Sequence, residues 1–593
     1  MKKKHITVLL AAASLAMVSC ENFLEQDSPS TILANTYFTN ESSLETYANG
    51  LLNAYTPSYT TLTYGDQDAD YVARTNQSNF YTGSWSPNEQ DGWDTGDWKM
   101  LYDVNYFLKH MGEADVDERT LQHYQGVARF WRAWFYYAKV RTFGGVPWYD
   151  EPIDAEDQEA LYKGRDSREY VMHRILEDLN FAATYCSTES KYVNCGVING
   201  YIAQAFKARV CLFEGTYRKY HTTNPETQGA WSTEYESAED FLRAAVTASE
   251  ALMTNSPYQL VDNPANVATQ YHMLFNQEKI NYTEILWARE YSASLPLLHE
   301  TTWKFNSSTN GNCWSMNKQF LNTYLMLDGS RYTDQPDYAT KSYVDELTGR
   351  DYRLQQTIIT PAYKKKQNGV EAEYTPNFSI TRTGYQVIKW NIDDDAYELS
   401  AQSYNSLPIF RFAEVLLNYA EAKAELGEFG QTEWNATIAK LRARAGVATD
   451  APATADPYLI QYFDNTVNDK WLLEIRRERG IELFMENLRY DDLMRWKLGH
   501  LIVRPWTGIY APLGQKQPIN AARTKFICVM QDREGTEIGT EYIVLAQNPS
   551  LSLQNNLLTF QPLERKWTDR MYLRPIPQAA RDVNGNLAQN PEW

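Results

Sequence analysis

From Leu407 to Gly427 the chain places Ile409, Phe412, Ala413, Leu416, Ala420 and Ala424 at helical spacing. The pattern predicts one buried helix, opened by Pro408 at a first helical position and closed by Gly427 just past the end. Small residues on that side let another helix approach, and Arg411, Glu414, Asn418, Glu421 and Glu425 form a polar back. The same periodicity predicts helices over 38–55, from Trp98 onward, and over 171–184, 197–214, 241–252, 434–445 and 471–498. Alanines such as Ala203, Ala205 and Ala208 sit at close-packing positions, which points to tetratricopeptide-like helical hairpins.

Two stretches break the pattern. Residues 56–98 are irregular, and 271–405 carry only an alternating, strand-like Glu284–Arg289 and one helical segment over 318–327. Glycine and proline are scattered, so no low-complexity linker divides the chain. The expected architecture is mainly α: one compact body with a helical-repeat scaffold, long loops and short strands, its N-terminal region over 20–270 and its C-terminal region over 271–593.

Residues 1–19 read as a signal peptide, with Lys2, Lys3 and Lys4 ahead of an apolar run from Ile6 to Val18 and Cys20 directly after Ser19. That run is shorter than the roughly 20 residues a membrane-spanning helix needs. The formal charge of -19 argues against nucleic acid as a partner. Tyr (42) outnumbers Phe (22) and Trp reaches 17, so many rings carry a polar handle suited to wet, partly exposed sites.

Candidate chemistry is concentrated in the loops. Asp66, Asp68 and Asp70 imitate the opening of a calcium loop, but Tyr71 stands where that loop requires Gly and Gln77 where it closes on Glu. The carboxylates are therefore expected to accept hydrogen bonds from ligand hydroxyls, and no metal or cofactor is expected. Glu474, Glu478, Glu482 and Glu486 recur every four residues, as a paired-carboxylate hydrolase might place them. Arg476, Arg477, Arg479 and Arg489 would keep them charged, which favours a structural ion-pair network over a general acid. His299 and Glu300 lack the second His of a zinc protease, and there is no nucleophile elbow, phosphate loop or dinucleotide fingerprint. Recognition without catalysis is expected. Cys186 and Cys195 lie close enough in sequence for a disulfide to be possible outside the cytosol.

Several phrases carry a family resemblance. Arg411 to Ala422 resembles the helix "R-x-A-E-V-x-L-x-x-A-E-A" of the SusD/RagB family, surface lipoproteins of Bacteroidetes that capture nutrients for an outer-membrane transporter. Trp98 to Leu108 resembles "W-x-x-L-Y-x-x-I-x-x-A-N", and Gly126 to Tyr137 with Phe143 to Pro147 resembles "G-E-A-R-F-L-R-A-x-x-Y-F … Y-G-G-V-P", with Val127 in place of Glu. Glu474 to Trp496 is similar to "E-R-R-x-E-L-x-x-E-G-x-R-x-x-D-L-x-R-W", with Asn487 in place of Gly. Leu573 to Pro577 and Asn586 to Pro591 are similar to the family's terminal phrases.

The resemblance implies a helical scaffold, a lipid on Cys20 signalled by Met17-Val18-Ser19 and the acidic residues that follow, and an outer-membrane, surface-exposed location. It implies a TonB-dependent, SusC-like transporter as partner and an oligosaccharide as ligand, bound by loops corresponding to 56–98 and 290–320. Within those loops Trp85 and Trp314 are expected to act as stacking platforms, with Trp93, Trp303 and Tyr291 nearby and Asp68 and Arg74 bonding hydroxyls. The alternatives are a peptide-capturing member of the same family and a surface glycosidase.

Overall fold

The computed structural model describes residues 37–89, 91–510, 525–531, 537–544 and 550–593; Cys20 and the signal peptide lie outside the described residues. Helix α1 (Glu41–Tyr55) is capped by Asn40, and the short α2 (Tyr59–Tyr64) by Ser58. Strand β1 (Val72–Ala73) follows, and then α3 (Thr95–His110), whose Asp94 and Asp97 side chains each accept the other's backbone N–H in a capping box.

Four longer helices come next: α4 (Glu118–Phe143), α5 (Arg168–Tyr185), α6 (Gly200–Tyr220) and α7 (Ala238–Asn255). They pack in succession, α4 on α5, α5 on α6 and α6 on α7, giving the expected stack of helical hairpins. Small residues set the spacing. A Cβ on Gly215 of α6 would meet Leu242 of α7 at 2.8 Å, so only glycine allows that approach.

Past α7 the structure is loop-rich, with β2 (Ile285–Arg289), α8 (Thr301–Asn306), β3 (Ser315–Met316) and a hairpin of β4 (Lys364–Gln367) and β5 (Val370–Glu373). The helix expected over 318–327 is only one turn, Lys318–Leu321. The predicted helix from Leu407 is in fact two elements: β6 (Leu407–Arg411), paired antiparallel with β2, and α9 (Phe412–Glu425). Pro408 sits in the strand opposite Ala288 and opens no helix. Its apolar neighbours fit both periods over so short a run, and the partner strand decides.

Similarly, the helix expected over 434–445 breaks at Thr437, leaving α10 (Ile438–Arg444) as its second part. The helix expected over 471–498 is α11 (Lys470–Glu482) and α12 (Arg489–Arg495) with an irregular turn between. Met485 and Asn487 in that turn have φ of 58° and 61°, a left-handed conformation that Asn tolerates better than most residues. Asp66 fixes the turn from outside: its carboxylate accepts N–H bonds from Leu488 (3.1 Å), Arg489 (2.8 Å) and Tyr490 (3.2 Å) at the start of α12.

The polar back of α9 is buried. Glu414 binds Arg209 (2.7 Å), Asn418 binds Arg479 (2.9 Å), Glu421 binds Arg495 (2.5 Å) and Glu425 binds Lys219 (2.7 Å). The helix is enclosed all round, and each charge is carried inside by an opposite one. The four glutamates of the α11 stretch behave alike: Glu474 and Glu478 meet Arg442, Glu482 meets Arg353, Arg411 and Arg444, and Glu486 meets Lys389 and Arg411. Cys186 and Cys195 are both free thiols, the first buried and the second exposed, so no disulfide joins them. Among the described residues no helix is long and apolar enough to cross a membrane.

Candidate functional site

Pairing of β1 with β3 brings the two loop regions together, Val72 opposite Met316 and Ala73 opposite Ser315. Beyond the strands, Thr75 N–H donates to the Asn312 carbonyl (2.8 Å) and Asn76 N–H to Asn312 Oδ1 (2.6 Å). Arg382 Nε donates to Thr75 Oγ1 at 3.1 Å and ties a third loop to the same edge.

An aromatic cluster stands over this junction. Trp314 packs against Tyr64 (ring centroids 4.5 Å) and Phe305 (4.7 Å), which also meet each other (6.0 Å), and is only 5% exposed. With so little of the ring exposed, Trp314 has no open face, which corrects the expectation that it offers one to a ligand. Three rings of the cluster are half-buried, Tyr59, Tyr64 and Tyr291. The half-buried Trp303 of α8 is linked to them through Lys304, which lies over its ring and pairs with Glu300, the acceptor of the Tyr59 hydroxyl. Tyr291 and Tyr59 lean on His299 at 4.4 and 5.7 Å. Burial holds the His299 imidazole down at about 4, so it is neutral at neutral pH. With Nε2 donating to the Asn405 carbonyl at 2.9 Å, Nδ1 accepts from Thr301 N–H, and the ring is a fixed wedge.

Polar groups flank these rings. Glu300 accepts from Ser400 Oγ (2.5 Å) and the Tyr59 hydroxyl (3.2 Å), and Lys304 Nζ lies 4.3 Å from the Trp303 ring. Ser400's hydrogen bond keeps Glu300 below the ordinary carboxylate range. Asn312 Nδ2 faces Gln67 Oε1 at 3.4 Å. Tyr59, Lys304 and Asn312 were not singled out in the sequence. Tyr59 carried a local signal, since Ser58 before it is a helix cap and places Tyr59 and Tyr64 at the two ends of one short helix.

The carboxylates of the 66–70 run face inward. Asp68 and Arg74 bind each other, Arg74 is buried, and Trp506 and Arg565 line the small space around them. Asp70 accepts from Arg489 (Nε 2.8 Å) and the Tyr462 hydroxyl (2.7 Å). A buried carboxylate needs an opposite charge or donors, and the carboxylates of Asp66, Asp68 and Asp70 are each already paired or hydrogen-bonded within the protein. Among the described residues no cluster of His, Cys, Asp or Glu could hold a metal ion.

Trp85 and Trp93 belong to a different place. Trp85 is half-buried, edge-on to Phe80 (5.7 Å) and beneath the Arg574 guanidinium (5.5 Å). Trp93 packs edge-on to Trp98 (5.3 Å) and Phe143 (5.0 Å). It lines a cleft of about 470 Å³ shared with Trp98, Tyr149 and the C-terminal segment around Ala580 and Leu587. The predicted residues therefore fall into three groups: Tyr291 and Trp314 of the aromatic cluster with Trp303 linked to it through Lys304 and Glu300, the Asp68–Arg74 pair, and the two tryptophans against the C-terminal segment.

Comparison with known proteins accounts for this architecture. The family model described as "SusD family" matches residues 283–593, and one described as "Starch-binding associating with outer membrane" matches residues 22–212. SusD-like protein P25 of Formosa agariphila is 23% identical over 523 residues, covering 81% of this chain and 87% of that protein. SusD-like protein P38 of the same organism is 21% identical, covering 86% and 94%. Two solved structures from Bacteroides fragilis, a SusD-like protein and a SusD-like carbohydrate binding protein, superpose with a TM-score of 0.67 each at 20% identity. The first covers 94% of this chain and 98% of its own, the second 93% and 100%. The mainly helical fold, with few short strands, is shared with them. With its C-terminal half matched in full and its N-terminal region matched beside it, this chain belongs to the SusD family.

Proposed function

We propose that this protein captures glycans at the surface of the outer membrane, held there by a lipid on Cys20, and passes them to a TonB-dependent, SusC-like transporter. The observation that carries the glycan reading is the half-buried rings Tyr59 and Tyr291, with the half-buried Trp303 joined to Tyr59 through Lys304 and Glu300. Flat rings match the C–H faces of sugars, and the surrounding polar groups satisfy hydroxyls, so orientation is fixed without a deep pocket. Trp314 supports these rings from behind through its stack with Tyr64 and Phe305. Trp85 and Trp93 serve as outlying contacts for a longer chain, and the Asp68–Arg74 pair braces the loop.

Binding without hydrolysis is supported by the paired state of the carboxylates. Arginines overcome burial and hold Glu478 and Glu482 below their ordinary range, which suits structure and not proton donation. The test is a glycan and peptide array followed by calorimetry on whichever ligand is retained. Retention of an oligosaccharide unchanged, with loss of affinity in Trp303→Ala, is expected. Retention of peptides alone, or release of shortened sugar, overturns the reading.

A further inference from the structure

We propose that a separate cleft, beneath the β4–β5 hairpin, is a second ligand site that takes a neutral, hydroxyl-rich ring such as one hexose unit. The cleft measures about 520 Å³, within the range of roughly 300–1,000 Å³ usual for small-molecule sites. His272, Thr360, Tyr363 and Asp393 stand in its wall.

Two buried polar atoms there have no partner in the protein, His272 Nδ1 and Thr360 Oγ1. Both residues are more than nine-tenths buried. Buried polar atoms are normally satisfied, and leaving one unpaired costs about 1–3 kcal/mol, so two in one cleft point to a partner from outside the chain.

The geometry also defines what that partner offers. Asp393 Oδ2 accepts from His272 Nε2–H at 3.0 Å, and the Tyr363 hydroxyl donates to Asp393 Oδ1 at 2.7 Å. That arrangement keeps a proton on Nε2, so in the neutral ring Nδ1 is a lone-pair acceptor. Thr360 Oγ1 both donates and accepts. A hydroxyl group, itself donor and acceptor, complements the pair, whereas an anion has no proton to give Nδ1 of the neutral ring. At the mouth Lys364 and Glu371 carry opposite charges and select no ion.

Hydrogen bonds tie the walls together. Gln356 Oε1 accepts from Tyr271 N–H (2.9 Å) and His272 N–H (3.1 Å), while its amide donates to the Val267 and Tyr352 carbonyls (3.2 and 2.9 Å). Ile388 N–H donates to the Thr357 carbonyl at 2.8 Å and ties the third wall. The cleft also adjoins the aromatic cluster, because Ile392 N–H, one residue before Asp393, donates to Thr302 Oγ1 beside Trp303 at 3.1 Å. The assignment of a sugar as ligand rests on the glycan reading above; the unpaired atoms do not.

The experiment is saturation-transfer NMR of the whole chain with glucose, galactose and mannose as probes, on wild type, Thr360→Val, His272→Gln and Trp303→Ala. Thr360→Val is nearly isosteric, and an unchanged Tm will show that it folds. At least one hexose is expected to keep its signal in Trp303→Ala and to bind about tenfold more weakly in Thr360→Val and His272→Gln, as loss of one hydrogen bond implies. Hexose binding that vanishes in Trp303→Ala, or that is equal in Thr360→Val and wild type, overturns the second site while leaving the aromatic cluster standing. Absence of any hexose signal in the wild type overturns the cleft as a sugar site, and oligosaccharide calorimetry on Trp303→Ala then decides the aromatic cluster independently.

Discussion

Arg411 Nη1 lies 2.9 Å from Glu482 Oε1, and neither side chain is more than 1% exposed. The same guanidinium reaches Glu284 at 2.7 Å and Glu486 at 2.7 Å, and Arg444 joins Glu284 to Glu482, so β6, α10 and α11 meet in one closed network of charge. Removing one member strands the others. Glu482→Ala is expected to destabilise the protein by about 3–5 kcal/mol, the cost of an uncompensated buried charge, as read from the urea midpoint. A loss under ~1 kcal/mol, typical of an exposed pair, would mean that water reaches the network.

Acid should unfold the protein through these same groups. Burial alone would raise Glu421 and Glu482, but Arg495 for the first and Arg444, Arg411 and Arg353 for the second hold them well below 4.5. A carboxyl depressed on folding contributes stability that is complete above its unfolded value, near pH 4.5, and disappears as pH falls toward the folded value. Asp66 runs the other way, since burial lifts it to about 6, so its contribution weakens as pH rises through 6. Urea midpoints are therefore expected to fall steeply below pH 4.5, with a shallower fall in Glu421→Gln; a midpoint independent of pH down to 3 would contradict this.

Trp303 and Trp314 should separate binding from folding. Trp314 is enclosed by Tyr64 and Phe305, and Trp314→Ala is expected to cost about 3–5 kcal/mol of stability. Trp303 is half-buried with Lys304 over its ring, and its replacement by Ala should cost on the order of 2 kcal/mol in glycan binding with little change in Tm. Calorimetry and thermal melts on both variants check the assignment, and the reverse order of effects would refute it.

Thiol labelling offers an independent check of the packing. Iodoacetamide on the native protein should modify Cys195, which is exposed, and spare Cys186, Cys211 and Cys313, which are buried. Burial also pushes the Cys186 and Cys211 thiols upward, so little reactive thiolate forms while they stay buried. A mass shift showing Cys186 and Cys195 joined in a disulfide would be incompatible with the fold described.

The anchor is testable in cells. Cys20→Ala is expected to abolish lipid labelling and release the protein from membranes, while a tag on the wild-type chain should recover a TonB-dependent transporter under mild detergent. Continued lipid labelling of the variant would move the anchor elsewhere.

Helical spacing marked the hairpin scaffold, because apolar periodicity is local and any helix that packs must show it. The regular glutamates of 474–486 beside arginines also pointed to an ion-pair network. Of the neighbouring Arg476, Arg477, Arg479 and Arg489, however, Arg477 alone pairs with one of them, Glu474, and the other partners, Arg353, Arg411, Arg442, Arg444 and Lys389, come from distant segments. Local pattern did not reveal that Leu407–Arg411 is a strand, which depends on β2 lying alongside, nor that the turn before α12 is capped by Asp66 from 422 residues away. The site divided in the same way. Loops and their rings were legible, but which rings stay uncovered depends on tertiary contacts: β1 pairs with β3 beside Trp314, and Tyr64 packs on the Trp314 ring. A side chain's chemistry is written at its own position, whereas its exposure is set by whatever distant segment the fold lays over it.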